Sequence, residues 1–259
     1  MPPVSLVEVA ADVFLVPGSS TNWVIVKDGD AAVLVDTGYP RDRERLLASL
    51  AAVGVDPRGV AAVLITHAHN DHMGAAEHLR CTHGTAVLMH RAELPHARRE
   101  FLHQVSVGRV LANGWRPGVL SWAAHALRAG GTAHVPVVEP QPFPGEGRLD
   151  LPGRPLPVLT PGHTDGHCAY LLPDSGILIT GDALVSGHPT SRCRGPQLLP
   201  RMFHRDRARA LDSLTVLAEL DADVLLPGHG PIIRTSVAAA VERARELAAE
   251  DGPVIRRHR

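Results

Sequence analysis

The chain has 259 residues, a hydrophobic fraction of 44%, a charged fraction of 20% and a formal net charge of −1 with histidines neutral. That is ordinary for a globular protein, and residues 1–259 are read as a single α/β domain with room for a sizeable core. The balance excludes a basic surface for nucleic acid, a polybasic tract for a membrane and an apolar run able to span a bilayer.

In chain order, Val13–Val16, Asn22–Val26 and Ala31–Val35 are predicted strands, separated by Pro17-Gly18 and by the hairpin signal Lys27-Asp28-Gly29-Asp30. Asp36-Thr37-Gly38 follows the third strand, and Arg41–Ala52 reads as a helix ending before Gly54. Ala61–Ile65 is a buried strand, Gly74–Leu79 opens a helix, and Val87–His90 returns as a strand. Residues 92–130 carry apolar side chains at roughly helical spacing, broken by Gly108, Gly114, Pro117 and Gly118. Two or three short helices inserted in the sheet framework are expected there, covering a cleft. A proline-rich loop over 135–157 leads to the strands Pro157–Thr160, Cys168–Leu172 and Ile177–Thr180. The helix Asp206–Leu220, the strand Val224–Leu226 and the helix Ser236–Glu250 complete the chain. Val33-Leu34-Val35-Asp36-Thr37-Gly38 is loosely echoed by Leu178-Ile179-Thr180-Gly181-Asp182, which fits two similar β-rich halves stacked face to face with helices outside.

Residues 66–72 read Thr-His-Ala-His-Asn-Asp-His, directly after a buried strand. Imidazole and carboxylate donors together suit zinc, iron or manganese rather than calcium or magnesium. His67 and His69, two apart in an extended segment, project to one side. Asp71 and His72 follow once the chain has turned, so one loop can feed two adjacent ions. His163 in Thr160-Pro161-Gly162-His163, Asp182 in Thr180-Gly181-Asp182 and His229 in Pro227-Gly228-His229-Gly230 each lie at the end of an apolar strand beside glycine. Strand ends along one sheet edge converge in space, so these three can meet the heptad.

The series HxHxDH, PGHT, TGD and PGHG resembles the metallo-β-lactamase fold superfamily, on the branch that includes glyoxalase II and the metallo-lactonases. The resemblance covers roughly residues 13–90 and 155–235 and implies an αββα four-layer sandwich. It further implies His67, His69 and His163 on a first metal, Asp71, His72 and His229 on a second, and Asp182 bridging the two. Two divalent ions are expected, zinc by default, with iron and manganese fitting the same donors. Such a pair makes hydroxide available near neutral pH and polarises a carbonyl. Asp71 and His229 are the ligands expected to act in catalysis as well, Asp71 by accepting the nucleophile's hydrogen bond. Asp36 is expected to order the ligand loop without binding metal. The implied activity is hydrolysis of a thioester, lactone or related ester of a small-molecule substrate.

Glyoxalase II has a helical C-terminal region with basic residues for glutathione; one helix and a tail follow His229 here, which weighs against a glutathione thioester. Competing readings are a mononuclear-iron persulfide dioxygenase, which retention of His72 and His229 disfavours, a nuclease or phosphodiesterase of the same fold, and a non-enzymatic metal-binding protein. Among the other histidines, His167 is expected to pack locally, His188 and His204 are candidates for substrate contact, and His96, His103, His125 and His134 are expected to be solvated. Tyr39 is a candidate pocket residue. Arg192, Arg194 and Arg201 read as a solvated loop or, less simply, as a clamp for an anionic substrate. Cys81, Cys168 and Cys193 form neither a disulfide framework nor a paired zinc motif. With no signal-peptide pattern at the N-terminus, they make a reducing cytoplasm the expected compartment.

Overall fold

The computed structural model describes residues 5–250. Seven strands form one sheet in sequential order: β1 (Val7–Ala10), β2 (Val13–Pro17), β3 (Asn22–Asp28), β4 (Ala31–Val35), β5 (Val60–Leu64), β6 (Ala86–Met89) and β7 (Gln141–Pro142). The second sheet has five strands: β8 (Leu156–Leu159), β9 (Cys168–Leu172), β10 (Ile177–Gly181), β11 (Val224–Pro227) and β12 (Ile233–Arg234). Helices α1 (Arg43–Ala52) and α3 (Ala76–His83) pack on the outer face of the first sheet, and α7 (Arg207–Ala218) and α8 (Val237–Glu250) on that of the second.

Alternation along the strands divides the core into layers. Val33 and Val35 of β4 face Tyr170, Ile177 and Ile179 across the gap between the sheets, whereas Ala32 and Leu34 join Leu46, Leu50 and Leu79 beneath the helices. Leu171, Leu178 and Leu225 pack against Leu214, Leu217 and Val241. Covering a sheet on both faces is why its central strands read as unbroken apolar runs rather than as alternating ones. The expected αββα layering is the architecture found.

The two halves echo each other in topology. β4 is antiparallel to β3 and parallel to β5; β10 is antiparallel to β9 and parallel to β11. Asp36 and Asp182 therefore leave equivalent strands, each at an edge where its one parallel neighbour, β5 or β11, also ends. Such strand ends are where open α/β sheets place their ligands.

Several boundaries differ from those expected. β1, β7 and β12 are short strands at or next to sheet edges, too brief for a periodicity signal. The helix expected from Gly74 begins at Ala76, and a separate single turn, α2 (Asn70–Met73), carries Asp71 and His72. Between β6 and β7 the insertion holds α4 (Leu94–Ala97), α5 (Val107–Ala112) and α6 (Val119–Ala129), the upper end of the expected count.

Candidate metal centre

The buried strand β5 ends at Leu64, and the next eight residues build half of the site. His67 and His69 leave extended backbone, and His69 is the N-cap of α2, so Asp71 and His72 sit on a helical turn pointing back toward the same space. His163 follows β8, Asp182 follows β10 and His229 follows β11. The donors thus come from two sheets, which corrects the expectation of a single sheet edge.

All seven side chains meet in three overlapping groups: His67, His69 and His163; His67, His72 and Asp182; Asp71, His72 and His229. In the first, His67 Nε2 lies 3.0 Å from His69 Nδ1, and His163 Nε2 lies 3.2 and 3.0 Å from those two atoms. In the last, His229 Nε2 is 3.6 Å and His72 Nε2 3.9 Å from Asp71 Oδ2. Asp182 stands between them. Its Oδ1 is 3.4 Å from His72 Nε2, and its Oδ2 is 3.5 Å from His163 Nε2 and 3.4 Å from His229 Nε2.

The opposite nitrogen of four of these rings is occupied, which fixes what each turns inward. His69 Nε2–H donates to the His103 carbonyl at 2.6 Å, leaving Nδ1 for the cluster. His72 Nδ1–H donates to Asp36 Oδ2 at 2.7 Å, and His229 Nδ1–H to the Ser20 carbonyl at 2.8 Å. His67 Nδ1 lies 3.1 Å from Thr66 Oγ1. Asp36 also accepts from Thr66 N–H and Oγ1–H, both at 2.8 Å, and it adopts a left-handed φ of 63°. That conformation is uncommon outside glycine but better tolerated by Asp than by most residues. Asp36 therefore orders the loop through Thr66 and His72, as expected of it.

The electrostatics split the cluster. Burial pushes His67 and His163 well below the ordinary imidazole range and His69 down to about 4. Burial also disfavours the charged forms of His72 and His229, but Asp182 reverses it for both, helped by Asp36 and Asp71, and their pKa values rise. For Asp182 burial favours the neutral acid, and the facing His229 and His72 outweigh it.

The donors fit divalent cations. His72 Nε2 and Asp182 Oδ1 are buried without a hydrogen-bond partner, facing each other at 3.4 Å. Unsatisfied polar atoms at that depth cost about 1–3 kcal/mol each unless something binds them. Nitrogen and oxygen donors about 2.0–2.2 Å from a tetrahedral ion lie roughly 3.3–3.6 Å apart, close to the spacings found. Gly228 leaves the room: a Cβ there would stand 2.5 Å from Asp182 Oδ1 and 2.8 Å from His72 Cε1.

Supporting residues that the sequence does not signal act through backbone. Glu93, 1% exposed, accepts from Ala68 N–H at 2.9 Å and from Gly166 N–H at 2.9 Å, pinning the loops of His67/His69 and His163 together. His96 is buried against it, Nδ1 to Oε2 at 3.3 Å, which corrects its reading as solvated; His103 contributes its carbonyl to His69. Asn22 donates to the Pro227 and Gly230 carbonyls at 2.9 and 2.8 Å and holds the His229 loop. His167 packs locally as expected and also steadies the Asp182 loop. Its Nε2 accepts from Asp182 N–H at 3.0 Å, while Nδ1 meets Thr160 Oγ1 at 2.8 Å.

A cavity of about 310 Å³ opens over the cluster, with His69, Asp71, His163, Asp182, His188 and His229 at its base and Tyr39 at its side. Its wall comes from the insertion: Val107, Val110 and Leu111 on α5, and Leu120, Trp122 and Leu127 on α6. Among the described residues, no Lys, Arg or Glu lines it. Arg192, Arg194 and Arg201 are absent from the wall; Arg192 lines a separate small cavity with Arg116 and Arg207. His204 is also off the wall and donates from Nε2 to the Leu199 carbonyl at 2.9 Å. No helix among the described residues is long and apolar enough to cross a membrane.

The family model of the metallo-β-lactamase superfamily matches residues 16–229, and the chain belongs to that superfamily, whose members are mostly metal-dependent hydrolases. The chain is 33% identical over 227 residues to metallo-β-lactamase domain-containing protein 1 of Xenopus laevis, covering 88% of this chain and 76% of the relative. It is similar to two proteins named as hydrolytic enzymes. One is the atrochrysone carboxyl ACP thioesterase of Aspergillus fumigatus, 27% identical over 82% of this chain and 51% of the relative. The other is a hydroxyacylglutathione hydrolase of Cupriavidus taiwanensis, 29% identical over 80% of this chain and 62% of the relative. Among solved structures, a metallo-β-lactamase family protein from Thermus thermophilus superposes with a TM-score of 0.64 at 25% identity, covering 97% of this chain and 80% of that one.

Proposed function

We propose that the protein is a dinuclear metal-dependent hydrolase that cleaves a thioester, lactone or related ester of an uncharged, largely apolar acyl group. The observation that carries this reading is the meeting of His67, His69 and His163 on one side of Asp182 and of Asp71, His72 and His229 on the other. His67, His69 and His163 would hold one cation, Asp71, His72 and His229 a second, and Asp182 would offer an oxygen to each. Zinc, iron or manganese fits these donors, and cations held there supply Lewis acidity to a carbonyl and lower the pKa of a water.

The chain's own residues do the remaining work. Asp71 is partly accessible at the cavity base, where its carboxylate can accept a hydrogen bond from an attacking water and orient it. Tyr39 stays protonated, since burial and then the nearby Asp71 raise its pKa, so it presents a neutral wall. The apolar α5–α6 face receives the acyl part, which covers these exposed side chains when bound. A wall without Lys or Arg favours neutral substrates over phosphodiesters or a glutathione conjugate. The second donor group likewise favours two ions over the mononuclear-iron alternative, and the relatives named as a thioesterase and as a hydroxyacylglutathione hydrolase support the ester and thioester class.

The test is a panel of thioesters, lactones, aryl esters and phosphodiesters, run alongside oxygen uptake with a persulfide. Hydrolysis of carboxylic esters or thioesters that His67→Ala and Asp182→Ala each abolish, with the fold intact, is the expected result. Oxygen consumption or phosphodiester cleavage in its place would overturn the reading.

A further inference from the structure

One polar group at the cavity base is used neither by the proposed ligand set nor by its supports. His188 follows β10 by seven residues, half-buried, with its ring 5.0 Å and nearly perpendicular to that of His229. Its Nδ1 accepts from the Thr190 backbone N–H at 3.2 Å and lies 2.7 Å from Thr190 Oγ1. A backbone amide can only donate, so Nδ1 carries no proton and the ring proton sits on Nε2. Nε2 makes no hydrogen bond to any described residue, and the ring lines the cavity beside Asp182 and His229. Trp122 and Phe203 pack against the ring, with centroids at 5.8 and 5.0 Å. The result is an N–H donor without a protein acceptor, on a ring that packs against aromatic side chains and lines the cavity where a substrate would lie.

We propose that His188 is a catalytic hydrogen-bond donor, its Nε2–H binding the substrate's carbonyl oxygen and stabilising the charge that develops there. The proposal rests on the hydrolase reading above. As water oxygen bonds to the carbonyl carbon, the C=O π pair moves onto the oxygen that His188 contacts. That pair then re-forms C=O, the bond to the leaving sulfur or oxygen breaks, and the proton lost by water ends on the leaving group. His188 keeps its proton throughout. A donor already aimed before substrate arrives needs no reorganisation during the reaction, which is what makes such groups effective.

Two measurements test this. In the first, kcat and KM are compared for an oxyester and a thioester with the same acyl group. Removing one such donor costs about 10²–10³-fold in kcat. His188→Ala is expected to lower kcat about 100-fold on both substrates, with KM within about threefold. His188→Gln, which keeps a side-chain N–H, is expected to recover most of that loss. Metal content and thermal midpoint of both variants should match the wild type. Wild-type kcat in His188→Ala, a loss confined to the oxyester, or no recovery by Gln would overturn the proposal while leaving the hydrolase reading intact. A wild-type protein inactive on every ester would overturn both. The second measurement needs no turnover: long-range ¹H–¹⁵N correlation on histidine-labelled protein, with His188 assigned from the His188→Gln spectrum. The Nε2–H tautomer is the expected result, and the Nδ1–H tautomer would contradict it.

Discussion

Asp36 shows how much of this site depends on one side chain that faces away from the proposed ions. Its carboxylate receives Thr66 N–H, Thr66 Oγ1–H and His72 Nδ1–H, so the strand end, the heptad and α2 are tied at a single point. Asp36→Asn keeps a residue that tolerates the left-handed backbone but removes the charge that anchors His72. Losing such a partner typically weakens metal binding about 10- to 100-fold. Chelator competition should show that weakening for one equivalent of metal, and unchanged affinity would deny Asp36 this role. Gly228 acts by absence: Gly228→Ala should displace Asp182 or His72 and reduce bound metal, read by elemental analysis of the folded variant. Cys168 lies in the inter-sheet core, where burial pushes its thiol up to about 12. Because only the thiolate reacts, at pH 8 the native protein should label at exposed Cys81 and Cys193 while Cys168 stays unmodified until unfolding.

At the scale of elements, Glu93 is the joint between the insertion and both ligand loops. Burial alone would raise its pKa, but the facing His96 and the hydrogen bond from the Ala68 N–H override it and bring the value down to about 2. A depressed carboxyl pKa contributes stability that is fully present above its unfolded value near 4.5 and is lost as pH falls toward 2. A shift of that size corresponds to at most about 3 kcal/mol. Glu93→Gln should therefore be less stable than wild type at pH 7, with the gap closing between about pH 4.5 and 2; urea midpoints at pH 7 and pH 3 measure it. A gap as large at pH 3 as at pH 7 would show that the charge is not what Glu93 contributes.

This joint also explains what can be read from the sequence. The heptad, PGHT, TGD and PGHG are local strings in which ligand chemistry and glycine geometry coincide, so the seven candidate donors are visible before any fold. The supports are not. Glu93 acts on Ala68 and Gly166, and Asn22 on Pro227 and Gly230, through backbone groups that have the same chemistry in any residue. His96 reads as solvated because a histidine among charged residues looks exposed until the cover over it is known. The edge strands β7 and β12 escape because two residues carry no pattern, and β1 because none of its four residues is fully buried.

For the whole molecule, the sandwich brings two sets of strand ends to one rim, and the helical insertion roofs them with apolar side chains. Val107, Leu111, Leu120 and Leu127 line the cavity yet remain well exposed, as expected of a wall that an acyl group covers. Burying one methylene is worth about 0.8 kcal/mol, so kcat/KM should rise up to about fourfold per added methylene in a series of acyl thioesters with a common leaving group, until the cavity is full. A flat profile would mean that the acyl part does not use this wall.

The central claim is that seven side chains from two sheets hold a pair of divalent cations. The most direct measurement is metal stoichiometry by elemental analysis, on wild type and Asp182→Ala purified without added metal and then equilibrated with zinc. Two equivalents per chain in the wild type, falling to one or fewer in the folded variant, is the result this account predicts. A wild type that binds none, or a variant that keeps both, would contradict it.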